Sequence, residues 1–254
     1  MGQFDNKVAL VTGGSSGIGR ATALTFAKGG AHVVIADMDD DRGDAVLKEI
    51  QADGGDALYI HTDVSDDDSV KSMIQHAVAT YGKLDMAVNN AGIEGVMVPT
   101  TDYPLDIWHK VIAINLTGVW LCMKYEIPHL LKTEGVIVNT ASVAGLVGAP
   151  NASAYAAAKH GVVGLTKTAA LEYAKLKLRV NAVCPAFIET PMVMEREMAA
   201  STNQQTYDRL VRAHPMRRLG KAQEIADAIV WLCSDQTKFM TGHCLTIDGG
   251  LTAG

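Results

Sequence analysis

Short, almost unbroken apolar runs alternate with longer amphipathic stretches along this chain, and that rhythm constrains the fold more than any other feature. Val8 to Val11, Val33 to Ala36, Ala57 to Ile60, Leu84 to Val88, Val136 to Val138, Val180 to Val183 and Cys244 to Ile247 read as strands. Most are apolar at nearly every position rather than every second one, as strands covered on both faces are. Between them the spacing predicts helices near 17–29, 41–53, 66–81, 105–131, 153–175 and 222–234. In the third, an acidic first turn (Asp66, Asp67, Asp68) precedes Val70, Met73, Ile74, Ala77 and Val78 on one face. Strand and helix in regular alternation imply an α/β fold, a doubly wound parallel sheet of about seven strands with helices on both faces.

Composition agrees. With 48% apolar and 20% charged residues, the chain is neither disordered nor low in complexity. Its 254 residues suffice for a single domain, 1–254, that buries roughly three quarters of its surface. A net charge of −6 argues against nucleic acid or an anionic membrane as partner. The stretch Gly135 to Ala158 has no Asp, Glu, Lys or Arg, but Asn139, Gly145, Gly148, Pro150 and Asn151 break it, so no membrane helix is expected. The first residues show neither a basic nor an apolar signal region, which makes a cytoplasmic location the expectation. Cys122, Cys184, Cys233 and Cys244 form no C-x-x-C pair and the histidines no ligand spacing, so four small buried hydrophobes and no metal are expected.

Ligands of open parallel sheets bind beyond the carboxyl ends of the strands. After the first strand comes Thr12-Gly13-Gly14-Ser15-Ser16-Gly17-Ile18-Gly19, opening a helix. Gly13 permits a sharp turn, Gly17 a close backbone approach to a ligand, and Gly19 tight helix–strand packing; the helix N-terminus then faces a pyrophosphate. The second strand ends at Asp37, whose carboxylate can accept hydrogen bonds from a ribose diol and repels a 2′-phosphate. No Lys or Arg occupies positions 13–17, so the pattern favours NAD over NADP. Asp39, Asp40 and Asp41 read mainly as helix caps. The long break at about 186–221, rich in Met and charge, reads as a substrate loop before the last helix.

With these residues in view, the chain resembles the short-chain dehydrogenase/reductase family from about Lys7 to Gly250. Thr12 to Gly19 is similar to its TGxxxGxG turn, Asp63-Val64 to its adenine site, and Asn89-Asn90-Ala91-Gly92 to its NNAG segment. Asn115, Ser142 and Tyr155-Ala-Ala-Ala-Lys159 resemble its catalytic set, and Ile247 to Gly250 its C-terminal stretch. The resemblance implies a Rossmann-like fold, a homotetramer built partly on the helix around Ala152 to Leu171, and catalytic roles for Asn115, Ser142, Tyr155 and Lys159. It further implies cofactor contacts at Gly13, Ser15, Ser16, Gly17, Ile18, Gly19, Asp37, Asp63, Val64, Asn90, Ala91, Gly92, Tyr155, Lys159, Pro185, Ile188 and Thr190. One departure is Pro185-Ala186, where the family commonly has Pro-Gly. Ala there requires an ordinary backbone conformation.

Tyr155 and Lys159 stand one helical turn apart on one face. A free phenol titrates near ~10, and lowering it by about 3 units needs roughly 4 kcal/mol, about what an ammonium ion at 4 Å supplies at an effective dielectric near 20. Tyr155 is thus expected to be the general base in alcohol oxidation and the general acid in carbonyl reduction. By resemblance Lys159 also holds the nicotinamide ribose, Ser142 orients the substrate oxygen, and Asn115 anchors a water linking Lys159 to solvent. His160 points away and is structural. No step of this scheme needs a metal.

The expected pocket walls are Ile93 to Val98, Val143 to Val147, Phe187-Ile188, Met192, Met194 and Met198, suited to a moderately hydrophobic secondary alcohol or ketone. Glu94, Arg196 and Arg212 would read a polar substrate instead. The competing readings are a 3-oxoacyl thioester reductase, against which Asp37 weighs, and a non-catalytic NAD-sensing protein, which would not need Tyr155, Ser142 and Lys159.

Overall fold

The computed structural model describes residues 2–193 and 203–254. Its strands are β1 (Val8–Thr12), β2 (His32–Asp37), β3 (Ala57–His61), β4 (Met86–Asn89), β5 (Val136–Thr140), β6 (Arg179–Pro185), β7 (Ile188–Glu189), β8 (Gly220–Lys221) and β9 (Cys244–Ile247). Seven of them form one parallel sheet in the order β3-β2-β1-β4-β5-β6-β9, with Val8 opposite His32 and Ala9 opposite Met86. The order in which successive strands join the sheet reverses between β1 and β4, which opens a crevice at their carboxyl ends.

Nearly unbroken apolar strands make sense because both faces are covered. In β1, Val8 and Leu10 point into one core, Ala9 and Val11 into the other, and all four are fully buried. The first core is completed by α3 (Asp67–Tyr81), α5 (Gly118–Leu130) and α6 (Ser153–Tyr173), the second by α1 (Gly17–Lys28), α2 (Asp40–Ala52) and α8 (Ala222–Cys233). Helix starts follow the acidic signals: Asp39 accepts from the Arg42 N–H at 3.0 Å, and Asp66 from that of Ser69 at 2.7 Å. Asp40 does not cap; its carboxylate binds Tyr59 and His61 instead.

Two stretches differ from the sequence expectation. The single helix expected over 105–131 is α4 (Leu105–Ile112), a five-residue π turn (Ala113–Thr117) and α5. A Cβ on Gly118 would stand 2.9 Å from the Val64 carbonyl oxygen, so the chain passes the third strand's exit closely just after the wide turn. The break at 186–221 contains β7 and β8, which pair through Ile188 and Gly220, and α7 (Asn203–Ala213). Leu210 is its buried apolar anchor, too little for a periodic signal. Met194, Arg196 and Met198 lie outside the described residues.

Candidate active site

The glycine turn is held from behind. Thr12 Oγ1 accepts from the N–H groups of Asn90 and Ala91 (3.0 and 3.1 Å), and Asn90 Nδ2 donates to the carbonyls of Thr12 and Gly13 (3.1 and 3.2 Å). Asn90 and Ala91 therefore brace the turn as well as facing the crevice. Gly13 has φ +62°, and its Cβ would meet the Ala91 Cα at 2.9 Å; a Cβ on Gly19 would fall 2.0 Å from the Gly13 carbonyl oxygen. Gly17 (φ +51°) faces Thr190, whose methyl would lie 3.2 Å from a Cβ there, so this glycine also makes room for the protein's own chain.

Asp37 ends β2 with both carboxylate oxygens used: Ser15 N–H donates to one at 3.0 Å and Asp39 N–H to the other at 3.2 Å. Asp63 accepts from Ser65 N–H and Oγ at 2.8 and 2.7 Å. Ala186 is not among the residues with positive φ, and its N–H donates to the Ile247 carbonyl at 3.3 Å, so alanine after Pro185 fits an ordinary backbone.

Ser142 follows β5 and starts a short 3-10 turn, with its Oγ accepting from Ala144 N–H (3.1 Å) and donating to the Pro185 carbonyl (3.4 Å). Gly145 lets that turn lie against α6, since its Cβ would stand 2.6 Å from the Lys159 carbonyl oxygen. Lys159 is 3% exposed, donates to the Thr140 carbonyl at 2.7 Å, and holds its Nζ 5.6 Å from the centre of the Tyr155 ring. Asn115, buried in the π turn, binds both backbone groups of Ile93 (2.8 and 2.6 Å). A Cβ on Gly92 would meet Asn115 Oδ1 at 3.2 Å and Lys159 Nζ at 3.8 Å, so the two side chains flank one glycine.

The expected electrostatics need correction. The Tyr155 phenol is pushed up to about 12, chiefly by burial, with a hydrogen bond from Ser142 opposing the rise and Glu94 contributing to it. Burial also lowers Lys159 to about 8, with Cys184 acting the other way. The i, i+4 spacing conveys the attraction between phenolate and ammonium but not the desolvation of both, which is the largest effect on each group here.

A crevice of about 650 Å³ runs past these groups. Gly13, Ser16, Gly17, Ile18, Asp37, Asp63, Val64, Asn90, Ala91, Gly92, Ser142, Tyr155, Lys159, Pro185, Ile188 and Thr190 all line it, while Ser15, Gly19 and Asn115 stand behind the wall. Met97, Val143, Val147, Phe187 and Met192 add apolar lining, and Glu94 lines the crevice too. His160 is exposed and bonds the Ala156 carbonyl. Among the described residues no group of three or more His, Cys, Asp or Glu side chains is placed to hold a metal ion, and no helix is long and apolar enough to cross a membrane. Sequence reasoning missed the brace at Thr12 and the Thr140 carbonyl; the latter is backbone and leaves no residue-type signal.

The chain as a whole is similar to known proteins. The family model described as Enoyl-(Acyl carrier protein) reductase matches residues 13–252. The chain is 43% identical to the cyclohexanol dehydrogenase of Acinetobacter sp. (strain SE19), covering 99% of this chain and 97% of that protein. It is 44% identical to the 2,5-dichloro-2,5-cyclohexadiene-1,4-diol dehydrogenase of Sphingobium indicum (strain B90A), with both chains covered in full. Among solved structures, levodione reductase superposes with a TM-score of 0.96 at 37% identity over 99% of each chain. The chain belongs to the short-chain dehydrogenase/reductase family. Its sheet and helix layers are the Rossmann-like fold of that family's reductases.

Proposed function

We propose that the protein is an NAD-dependent dehydrogenase of secondary alicyclic alcohols and the matching ketones, with cofactor and substrate held in one domain, residues 1–254. The observation that carries this reading is the meeting of Ser142, Tyr155 and Lys159 on the crevice into which the glycine turn opens. Relatives named for cyclohexanol and for a chlorinated cyclohexadiene diol support the substrate class, as do the apolar walls.

The residues fit a dinucleotide. A side chain at Gly13 would collide with Ala91 and one at Gly19 with the Gly13 carbonyl, so the backbone stays bare at the N-terminus of α1, where free N–H groups favour a pyrophosphate. Asp37, at the end of β2, receives the ribose hydroxyls and opposes a 2′-phosphate. Asp63, Val64 and Ala91 lie along the adenine side, and Pro185, Ile188 and Thr190 along the nicotinamide side. Bound NAD supplies the hydride acceptor.

The chain's own part is orientation and proton movement. Ser142 donates to the substrate oxygen and sets it against Tyr155. At neutral pH Tyr155 carries its proton, ready to give it to a carbonyl oxygen. In alcohol oxidation Tyr155 acts as the phenolate: it first releases its own proton toward solvent and then takes up the hydroxyl proton, and the Ser142 hydroxyl and Lys159 ammonium are the groups that favour that anion. Asn115, beside Lys159, anchors the water that passes the proton to solvent. The molecule works as a homotetramer built partly on α6, whose Leu171 is 84% exposed in the single chain.

Incubating the purified protein with NAD or NADP and a panel of alicyclic and linear alcohols, and following the reduced-nicotinamide absorbance, tests the proposal. NAD reduction by cyclic secondary alcohols is expected. No turnover with either cofactor, or a preference for NADP, would overturn it.

A further inference from the structure

A second pocket lies outside the crevice, and none of the chemistry proposed above uses it. It holds about 150 Å³ and shares residues 186–188 with the crevice as a common wall. Phe187, Ile188, Met216, Ile225 and Ile247 give it apolar sides. Its described charged residues are engaged with one another or with the chain. Arg218 donates to both carboxylate oxygens of Glu224 at 2.7 and 2.6 Å. Asp248 accepts from the N–H groups of Gly250 and Thr252 and from the Thr252 hydroxyl, at 2.9, 2.8 and 2.6 Å.

His214, directly after α7, differs from these. It lines the pocket, is 1% exposed, and packs its ring edge-on to Phe187 with centres 5.9 Å apart. Its Nδ1 bonds the Leu210 carbonyl at 2.8 Å. A carbonyl only accepts, so Nδ1 carries the hydrogen and Nε2 of the neutral ring is an acceptor. That Nε2 is buried and has no hydrogen-bond partner among the described residues. Cδ2, the ring carbon bonded to Nε2, stands 3.5 Å from where a Cβ on Gly249 would lie, and Gly249 also lines the pocket. The unpaired edge of the imidazole is therefore the edge at this cavity, and a buried acceptor without a donor is costly until a ligand supplies one.

We infer that this pocket is a second ligand site, taking a six-membered cyclic alcohol or a phenol whose hydroxyl donates to His214 Nε2. A cavity of about 150 Å³ accepts a benzene-sized ring. The apolar walls suit that ring, and the paired charges offer nothing to an ion. An ether or ketone of equal size presents only an acceptor to Nε2, so the site distinguishes hydroxyl compounds from both. It needs neither NAD nor Tyr155 and stands apart from the dehydrogenase reading.

The test is calorimetric titration of phenol into the full-length protein, with anisole as the ring lacking a donor, repeated on His214→Phe, His214→Gln and Ser142→Ala. Phenol should bind the unaltered protein with a Kd of about 1 mM or tighter. Anisole should bind about tenfold more weakly, and His214→Phe should lose about tenfold in phenol affinity. His214→Gln, whose amide oxygen offers an acceptor in place of Nε2, should recover most of that loss, and Ser142→Ala should leave phenol binding unchanged. A crystal structure of the unaltered protein with phenol should place its oxygen about 3 Å from Nε2, which decides the matter even where the His214 variants do not fold. Anisole binding as tightly as phenol would overturn the inference. So would a loss in Ser142→Ala but not in His214→Phe, which puts phenol in the crevice, or crystals showing only water or a second copy of the chain at Nε2.

Discussion

Replacing Glu126 by Gln should stabilise the protein, and only above mildly acidic pH. Glu126 lies on α5 against the sheet and is fully buried. One carboxyl oxygen accepts from Asn89 Nδ2 at 3.1 Å; the other oxygen and Asn89 Oδ1 have no partner. Asn89 also donates to Asn139 at 3.0 Å, and Asn139 to Thr166 at 3.0 Å. Two acceptors without a donor make a carboxylate costly here, and burial raises Glu126 from 4.5 to about 8. A protonated carboxyl supplies the missing donor. Because the folded value lies above the unfolded one, stability from this group is complete below pH ~4.5, declines as pH rises, and is lost beyond pH ~8. The shift corresponds to about 5 kcal/mol at most, or roughly 10 to 20 °C in Tm for a chain of this size. Glutamine matches the shape, donates where the acid did and does not titrate. Thermal unfolding of both proteins by circular dichroism from pH 4.5 to 9 should show a Tm gap near zero in acid that opens through the window. A gap independent of pH, or a less stable Gln variant at pH 8.5, would refute the argument by showing Glu126 ionised and satisfied.

Gly19→Ala would place a methyl 2.0 Å from the Gly13 carbonyl oxygen, so NADH binding, followed by fluorescence titration, should weaken by more than about 100-fold or folding should fail. Asp37→Ala should narrow the NAD/NADP preference in kcat/KM by about tenfold, by removing the charge that opposes a 2′-phosphate; an unchanged ratio would place discrimination elsewhere. Light scattering should give a mass near four subunits, and a value near 27.0 kDa would contradict the assembly.

Much of this fold is written in the sequence because its strands are covered twice. Runs such as Val8 to Val11 leave no alternation to confuse with a surface strand, and every strand of the seven-stranded sheet falls where such a run occurs. The site was legible for a related reason: its residues follow strands, so Asp37, Asp63, Asn90 and Ser142 reach one edge once the sheet is parallel. What the residues could not convey is tertiary. The π turn around Asn115 and the brace at Thr12 depend on backbone partners distant in the chain, and among the described residues of α7 the buried apolar anchor is Leu210. Desolvation of Tyr155 and Lys159 was invisible for the same reason, since burial is a property of what packs around a helix rather than of its i, i+4 spacing.

The central claim is that the Tyr155 hydroxyl transfers the proton during turnover, and Tyr155→Phe removes that hydroxyl and little else. Cyclohexanol oxidation by NAD should fall more than about 1000-fold in this variant, while NADH affinity stays within about threefold. Activity retained above about one per cent, with the cofactor bound normally, would contradict the account.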